Sequence, residues 1–173
     1  MMLKNSSQCS LLQGLSTMSE ISSGSIERAL DEEGVFASVT EGVSMRPLFK
    51  THRDMVILKK PSGILKKYDV VLYKAGAKYL LHRIIKVDND KKVYVIRGDN
   101  TFKLEYVPFS EVIAYLTAFN RKGRSHKVTD KGYLTYAKVW NLIYPLRYPI
   151  HLLRMLLGKI YRMIFGKRKR MSR

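Results

Sequence analysis

The 173-residue chain has little cysteine, no long uninterrupted apolar run and, over its last third, almost no acidic residues. Its single cysteine, Cys9, excludes an internal disulfide framework and argues against a zinc cage. The four histidines, His52, His82, His126 and His151, show no metal-ligand spacing. We therefore expect neither a metal nor another cofactor.

The sequence also lacks a membrane-spanning segment. No stretch reaches the roughly 18–20 uncharged apolar residues that a spanning helix needs, because five basic side chains interrupt the most apolar region, 139–165: Arg147, His151, Arg154, Lys159 and Arg162. Residues 1–25 are rich in serine and have neither the basic nor the apolar part of a secretory signal. These features predict a membrane-associated chain without a spanning helix, on the cytoplasmic side, or else a soluble cytoplasmic protein.

Acidic residues are distributed very unevenly. Residues 1–120 contain 17 Lys/Arg and 13 Asp/Glu, whereas residues 121–173 contain 15 Lys/Arg and one acid, Asp130. Most of the net charge of +18 therefore lies in the last third of the chain. This asymmetry predicts an anionic partner, either a phospholipid surface or nucleic acid, unless the segment is only a solvated basic tail.

Short runs rich in Val, Ile, Leu and Tyr alternate with turn residues in the middle of the chain. They predict six strands: Val35–Thr40, Met55–Leu58, Val70–Tyr73, Tyr79–Val87, Val93–Ile96 and Val112–Leu116. Because no long helix separates them, the fold is predicted to be mainly β, a compact and partly closed antiparallel barrel. We expect a flexible arm and short helix over 1–34, the β domain over 35–120 and a basic helical tail over 121–173.

The tail is predicted to contain two helices. The first covers 133–144 and stops at Pro145, and Pro149 allows the second to begin at Ile150. On a helical wheel, 150–165 separates an apolar face from a basic face, and four further basic residues follow at 167–170. This composition predicts binding of residues 150–170 to an anionic membrane surface; the alternative is an apolar face packed on the protein's own sheet.

The segment Gly42-Val43-Ser44-Met45-Arg46-Pro47 indicates chemistry. A serine hydroxyl attacks a carbonyl only if a base takes its proton and the developing oxyanion is stabilised. A serine in a tight turn after a strand exposes its hydroxyl, and Gly42 lets the backbone approach a substrate closely. Met45 can enter the core and Pro47 can restrict the turn, which would hold Ser44 in place.

This segment resembles the Ser-Met-x-Pro nucleophile box of type I signal peptidases and of their relatives, the LexA-type self-cleaving repressors. Four later segments resemble further blocks of that family in the expected order: Asp54–Leu58, Tyr68–Tyr73, Leu81–Ile85 and Arg97–Asn100. The resemblance covers about residues 35–118, the whole predicted β domain. It implies a β barrel of the signal peptidase/LexA type and a serine endopeptidase with Ser44 as the nucleophile.

The resemblance places the general base at His82. Bacterial signal peptidases of the usual kind carry lysine there, whereas the endoplasmic-reticulum and archaeal-like kind carry His-Arg, as this chain does at His82-Arg83. An imidazole with an ordinary pKa of about 6.5 can accept the serine proton at neutral pH without strong desolvation.

A carboxylate normally orients a histidine base. The candidates are Asp99, within a Gly-Asp-Asn turn, and Glu105, six residues later. The endoplasmic-reticulum-like enzymes have an aspartate about where Glu105 falls, so we favour Glu105 and keep Asp99 as the alternative. Gly42 occupies the position of a serine that donates to the oxyanion in many signal peptidases. The oxyanion hole would then depend on backbone N–H groups, including that of Ser44.

Three functions are compatible with these features. The first is a serine endopeptidase at a membrane surface that processes a signal or leader peptide, cutting after small residues in an extended segment. The second is a LexA-type self-cleaving regulator, although residues 1–34 contain no Ala-Gly or Cys-Gly bond and are too short for a DNA-binding module. The third is a non-enzymatic basic protein that binds membranes or nucleic acid through 121–173. No nucleic-acid motif supports the third, so specific nucleic-acid binding is not expected.

Overall fold

The computed structural model describes residues 25–76 and 78–165, and the part it describes is built around one antiparallel sheet. The described strands are β1 (Val35–Val39), β2 (Met55–Lys59), β3 (Val70–Ala75), β4 (Lys78–Asp88), β5 (Val93–Arg97), β6 (Glu105–Pro108), β7 (Val112–Arg121) and β8 (Arg124–Lys127). The strand order is β1-β2-β7-β3-β4-β5-β6, and β8 also pairs with β7. The prediction of a mainly antiparallel β fold is therefore confirmed, and these strands form a sheet that does not close on itself.

Six of these strands coincide with the predicted ones to within a few residues, and two were missed. β6 was missed because a four-residue strand that starts with glutamate and ends with proline has little strand character. β8 contains only Arg, Ser, His and Lys. It forms because Lys122 and Gly123 both adopt positive φ, 52° and 75°, and so make a two-residue hairpin turn after β7.

Strand β7 determines how the sheet is assembled. On one edge β7 pairs with β2, with Met55 opposite Asn120, and on its other edge it pairs with β3 and β8. It therefore joins the β1-β2 pair to a four-stranded meander, β3-β4-β5-β6. The loop between β1 and β2 contains Ser44, whereas His82 lies in the middle of β4 within the meander.

A short helix, α1 (Ser25–Glu33), precedes the sheet as predicted. Ile26 and Leu30, one helical turn apart, are buried in the first of two apolar clusters. The helix ends at Gly34, whose φ is 69° and whose N–H donates to the Leu30 carbonyl at 3.1 Å, a glycine C-cap. A 3-10 helix, Phe109–Glu111, connects β6 to β7.

Two helices follow the sheet: α2 (Lys131–Leu142) and α3 (Tyr144–Phe165). The helical prediction is confirmed, but the second helix begins at Tyr144 and not at Ile150. Pro145 lies in the first turn of α3, where backbone N–H groups have no intrahelical acceptor, so its missing N–H costs no hydrogen bond. Pro149 lies inside the helix. Within the residues described, no helix is long and apolar enough to cross a membrane.

The chain divides into two compact units, one up to Tyr136 and one from Ala137 onward. Strand β8 and the first half of α2 thus belong to the unit that contains the sheet, whereas the sequence prediction assigned 121–173 to the tail. The predicted flexible arm over 1–24 and the basic run 167–170 lie outside the described residues.

Candidate active site

Ser44 lies in a turn that is held at several points. Gly42 adopts a φ of 75°, which favours glycine, and the Thr51 hydroxyl donates to its carbonyl. Met45 is buried in the first apolar cluster, as predicted. The Pro47 carbonyl accepts a hydrogen bond from the Arg121 guanidinium at 3.2 Å. These contacts hold the turn while Ser44 itself stays half-buried, with access to solvent.

A second turn, 98–101, packs directly against the Ser44 turn. The Asn100 N–H donates to the Ser44 carbonyl at 2.7 Å, and the Asn100 side-chain amide donates to the Val43 carbonyl at 3.2 Å. A Cβ on Gly98 would lie 2.7 Å from the Ser44 carbonyl oxygen and 3.1 Å from His82 Cδ2. Only glycine therefore allows the Ser44 turn and the His82 ring to approach this point from either side.

His82 is buried on β4, directly opposite Val71 of β3. Its Nδ1 lies 3.1 Å from Glu105 Oε2 and 3.2 Å from the Tyr73 hydroxyl oxygen. The Tyr73 hydroxyl donates its own proton to the same Glu105 oxygen. With Tyr73 as donor, the Nδ1 proton also points to Glu105, and Nε2 retains a lone pair.

The unprotonated nitrogen lies at the edge of the ring away from Nδ1 and Glu105. Nε2 is bonded to Cδ2, and Cδ2 lies beside Gly98, whose turn packs against the Ser44 turn. Among the residues described, the Ser44 hydroxyl makes no hydrogen bond to His82. Catalytic hydrogen bonds are often long in the absence of substrate and tighten when it binds.

The electrostatics of this group favour a neutral imidazole. Burial lowers the pKa of His82 below its ordinary value, and the carboxylates of Glu105 and Asp99 partly offset that effect. Burial also raises the pKa of Tyr73, and its hydrogen bond to Glu105 raises it further. Tyr73 consequently remains a protonated donor at any working pH.

Asp99 lies in a different network. Its carboxylate accepts two hydrogen bonds from Arg83, each 2.8 Å long, and one from the Tyr136 hydroxyl at 2.9 Å. Arg83 is completely buried and also donates to the Tyr68 carbonyl and the Tyr133 hydroxyl. Burial alone would lower the pKa of Arg83, but the charge and hydrogen bonds of Asp99 outweigh it and raise that pKa.

The structure thus brings Glu105, His82 and the Ser44 turn together and places the Asp99 carboxylate on Arg83. Sequence reasoning missed Tyr73, Tyr133 and Tyr136. For Tyr73 a signal exists once the β3-β4 register is known. Val71 is opposite His82, so Tyr73, two residues on, projects from the same face as a diagonal neighbour of the histidine.

Nothing in the described part of the chain points to a metal centre, because no group of three or more His, Cys, Asp or Glu side chains is placed to hold an ion. Comparisons of the chain with protein-family models, with curated proteins and with solved structures found no match.

Proposed function

We propose that this protein is a serine endopeptidase that processes signal or leader peptides, with Ser44 as nucleophile, His82 as general base and Glu105 as the carboxylate that orients the base. The observation that carries the proposal is the position of the His82 ring. One edge of the ring contacts Glu105, and the other lies beside Gly98, which packs against the turn that contains Ser44. A buried neutral histidine between a carboxylate and a serine turn is the arrangement that serine hydrolases use.

The reaction would follow from this arrangement. Ser44 Oγ attacks the scissile carbonyl carbon as His82 Nε2 takes the hydroxyl proton, and Glu105 stabilises the imidazolium that forms. Collapse of the tetrahedral intermediate breaks the peptide C–N bond, and the proton on Nε2 goes to the leaving amine. Water, activated by the same histidine, then hydrolyses the acyl-enzyme and restores the Ser44 hydroxyl.

The oxyanion needs N–H donors that are not used elsewhere. In the described residues no acceptor is bonded to the Ser44 N–H, whereas the Arg46 N–H already donates to Val43 at 3.2 Å. Ser44's own N–H, presented in the turn that Gly42 opens, is therefore the proposed donor. This differs from many type I signal peptidases, in which a serine at the position of Gly42 also donates, and is similar to their LexA-type relatives.

The fold supports the same family. An antiparallel sheet with the serine turn after its first strand, the histidine in the middle of a later strand and the carboxylate on the strand next but one is compatible with a barrel of the signal peptidase/LexA type. We propose that fold type here. The proposed substrate is an extended peptide segment, which a sheet of this kind can bind as an added strand.

We further propose that the enzyme works at an anionic membrane surface. Helix α3 exposes large apolar side chains along one half of its circumference, including Leu146, Ile150, Leu153 and Leu157, each more than half exposed. Arg154 and Arg162 are exposed on the same helix as these apolar side chains, and Arg147 is half-buried on it. An exposed apolar strip beside basic residues fits a helix in the plane of the lipid headgroups. That this surface is the cytoplasmic one stays a prediction.

The proposal is tested by labelling the full chain with a penem-type or lipopeptide serine acylator and mapping the modified residue. Acylation of Ser44, lost in Ser44→Ala and strongly slowed in His82→Ala, is expected. Ser62, exposed in a loop, is the control nucleophile and should remain unmodified. Equal labelling of the Ser44→Ala chain, or labelling spread over several surface serines, would overturn the assignment.

A further inference from the structure

We propose that Tyr73 is a positioning residue that holds the Glu105 carboxylate against Nδ1 of His82. This inference rests on the proposed function, because it assigns a role within the same site. It concerns the last side chain of the Tyr68–Tyr73 block, to which the sequence resemblance assigned no role, on a strand that contributes neither the serine nor the histidine.

Glu105 needs such a partner because little else restrains it. It is the first residue of β6, a four-residue strand at the end of the sheet order, and its side chain is 27 % exposed. In the described residues its carboxylate has two hydrogen-bond partners, the Tyr73 hydroxyl and His82 Nδ1, and both contact Oε2. Without Tyr73, a flexible glutamate with access to water could turn outward, so the tyrosine determines how often the carboxylate faces the imidazole.

Tyr73 is well placed to do this. Its ring is buried in the second apolar cluster, and β3 pairs with β4 on one side and β7 on the other. The ring centroids of Tyr73 and His82 are 5.8 Å apart. A hydroxyl on a buried ring in a central strand is far more rigid than a carboxylate at a strand end. The hydrogen bond from Tyr73 therefore fixes the position of the Glu105 carboxylate relative to the sheet.

The hydroxyl also decides which tautomer His82 adopts. Because Tyr73 donates to Glu105, its oxygen has no second proton to offer to Nδ1. The Nδ1–H is then directed to Glu105, and Nε2, next to the Cδ2 atom that lies beside Gly98, is left unprotonated. Loss of the hydroxyl removes this constraint and allows tautomers in which Nε2 carries the proton and cannot act as a base.

The test uses isotopically labelled full-length protein and follows the His82 ring nitrogens by NMR across pH. In Tyr73→Phe we expect weaker protection of the Nδ1 proton against exchange and a larger share of the Nε2–H tautomer. The titration midpoint of His82 should also move to lower pH, because Glu105 then offsets less of the lowering of the His82 pKa by burial. In peptide cleavage, kcat should fall about tenfold or more with KM within about twofold of wild type.

Two further variants make the result specific. Tyr79→Phe is the matched control, since the Tyr79 hydroxyl on the neighbouring strand also donates to a glutamate, Glu27, at 3.0 Å. It should leave the His82 resonances and kcat unchanged. If Tyr73 acts through Glu105, adding Tyr73→Phe to Glu105→Ala should cost less than about twofold more in kcat.

The two proposals can fail separately. An unchanged His82 tautomer and midpoint in Tyr73→Phe, or a full tenfold loss in the Glu105→Ala background, would overturn the role of Tyr73 even if Ser44 is acylated. Conversely, NMR changes in Tyr73→Phe in a chain that no acylator labels at Ser44 would support the Tyr73-Glu105-His82 coupling and remove the peptidase.

Discussion

Arg83 donates two parallel hydrogen bonds to Asp99, from Nε and Nη2 to the two carboxylate oxygens, each 2.8 Å long, and both side chains are buried. This pair sits beside the proposed catalytic group: Arg83 follows His82 in β4, and Asp99 follows Gly98. Because of this pair, the carboxylates of Asp99 and Glu105 have different partners. Asp99 neutralises a buried cation, and Glu105 is the carboxylate in contact with the imidazole.

The two carboxylates should therefore respond differently to amide substitution. Asp99→Asn leaves the buried Arg83 charge uncompensated, so we expect a loss of about 3–5 kcal/mol in the free energy of unfolding. Glu105→Gln affects a part-exposed side chain and should change that free energy by less than about 1 kcal/mol while lowering kcat by about 10²–10⁴-fold.

Urea denaturation and peptide cleavage, measured on both variants, check this prediction. A stable Asp99→Asn protein that has lost its activity would show that Asp99 serves the base, and the assignment of the two residues would be reversed.

Loss of either the nucleophile or the base should abolish cleavage without unfolding the protein. Ser44→Ala and His82→Ala are each expected to lower kcat/KM by several orders of magnitude, because triad members act as a unit. His151→Ala, which changes an exposed histidine of α3, serves as a control and should retain activity on a soluble peptide. Circular dichroism would establish that the variants are folded. Wild-type turnover by Ser44→Ala would refute the enzyme assignment.

Activity should rise with pH through the titration of His82. Because burial lowers the pKa of this group, the acid limb of kcat/KM should have its midpoint below 6.5. The same shift affects stability. Between the pKa of His82 in the folded protein and its unfolded value of about 6.5, the unfolded chain binds more protons than the folded one. The contribution of His82 to the free energy of unfolding is therefore fully present above about pH 6.5 and is lost as the pH falls towards the folded-state pKa.

Denaturation curves for wild type and His82→Ala, measured across this pH range, isolate that contribution from those of other groups. The difference between the two proteins should shrink as the pH is lowered. A midpoint for kcat/KM above 6.5 would contradict the effect of burial on His82.

Gly98→Ala should damage the site more than the fold. The added Cβ would lie 2.7 Å from the Ser44 carbonyl and 3.1 Å from the His82 ring, so one or both must move away. Because a misplacement of about 1 Å can cost 10²-fold in rate, kcat/KM should fall by at least about tenfold. Gly63→Ala is the control, since no atom lies within 4 Å of the new Cβ. Full activity in Gly98→Ala would mean that the Ser44 turn and His82 need not approach each other there.

Membrane binding should depend on α3 and not on the sheet. The full chain should co-sediment with anionic vesicles, and a chain that ends at Leu142 should not, while both cleave a soluble peptide. Each basic residue near an anionic surface contributes about 1 kcal/mol, so replacing Arg154, Lys159 and Arg162 by glutamine should weaken binding by more than tenfold. Equal binding to neutral vesicles would remove the electrostatic part of this proposal.

The truncation has to be placed after α2 begins. A chain cut at Lys131 would lose Tyr133, which is buried in the first apolar cluster and whose hydroxyl accepts from Arg83. We therefore expect that shorter chain to be destabilised, which makes it unsuitable for separating membrane binding from folding. A chain ending at Lys131 that melts like wild type would show that Tyr133 contributes little.

The sequence predicted most of the sheet because the strands that form its centre consist of β-branched, aromatic and leucine residues. β8 was not predicted because its polar composition carries no strand signal. It adopts a strand conformation because of the preceding turn and its pairing with β7. The two prolines misled the prediction of where α3 begins, since Pro145 tolerates a first-turn position as well as it ends a helix.

For the site, motif order predicted Ser44, His82 and the choice between two carboxylates. It favoured Glu105 by resemblance alone and kept Asp99 as the alternative, because both lie near the same turn in sequence and only the sheet register shows which one contacts the imidazole. The role of Tyr73 was not predicted for the same reason: its hydroxyl contacts Glu105, 32 positions further along the chain. Contacts between strands far apart in sequence leave no local pattern.

The central place of β7 has a consequence for the newly made chain. Ser44 belongs to the β1-β2 half of the sheet and His82 to the meander, and the two halves share hydrogen bonds along β7, which ends at Arg121. Pairings across such long sequence separations form late, because closing the long loops costs conformational entropy before the strand contacts compensate for it. A ribosome-bound chain would then carry both the serine and the histidine for a period on the order of several seconds of synthesis before the proposed site could form, so the proposed peptidase activity should appear only after the chain has emerged beyond Arg121.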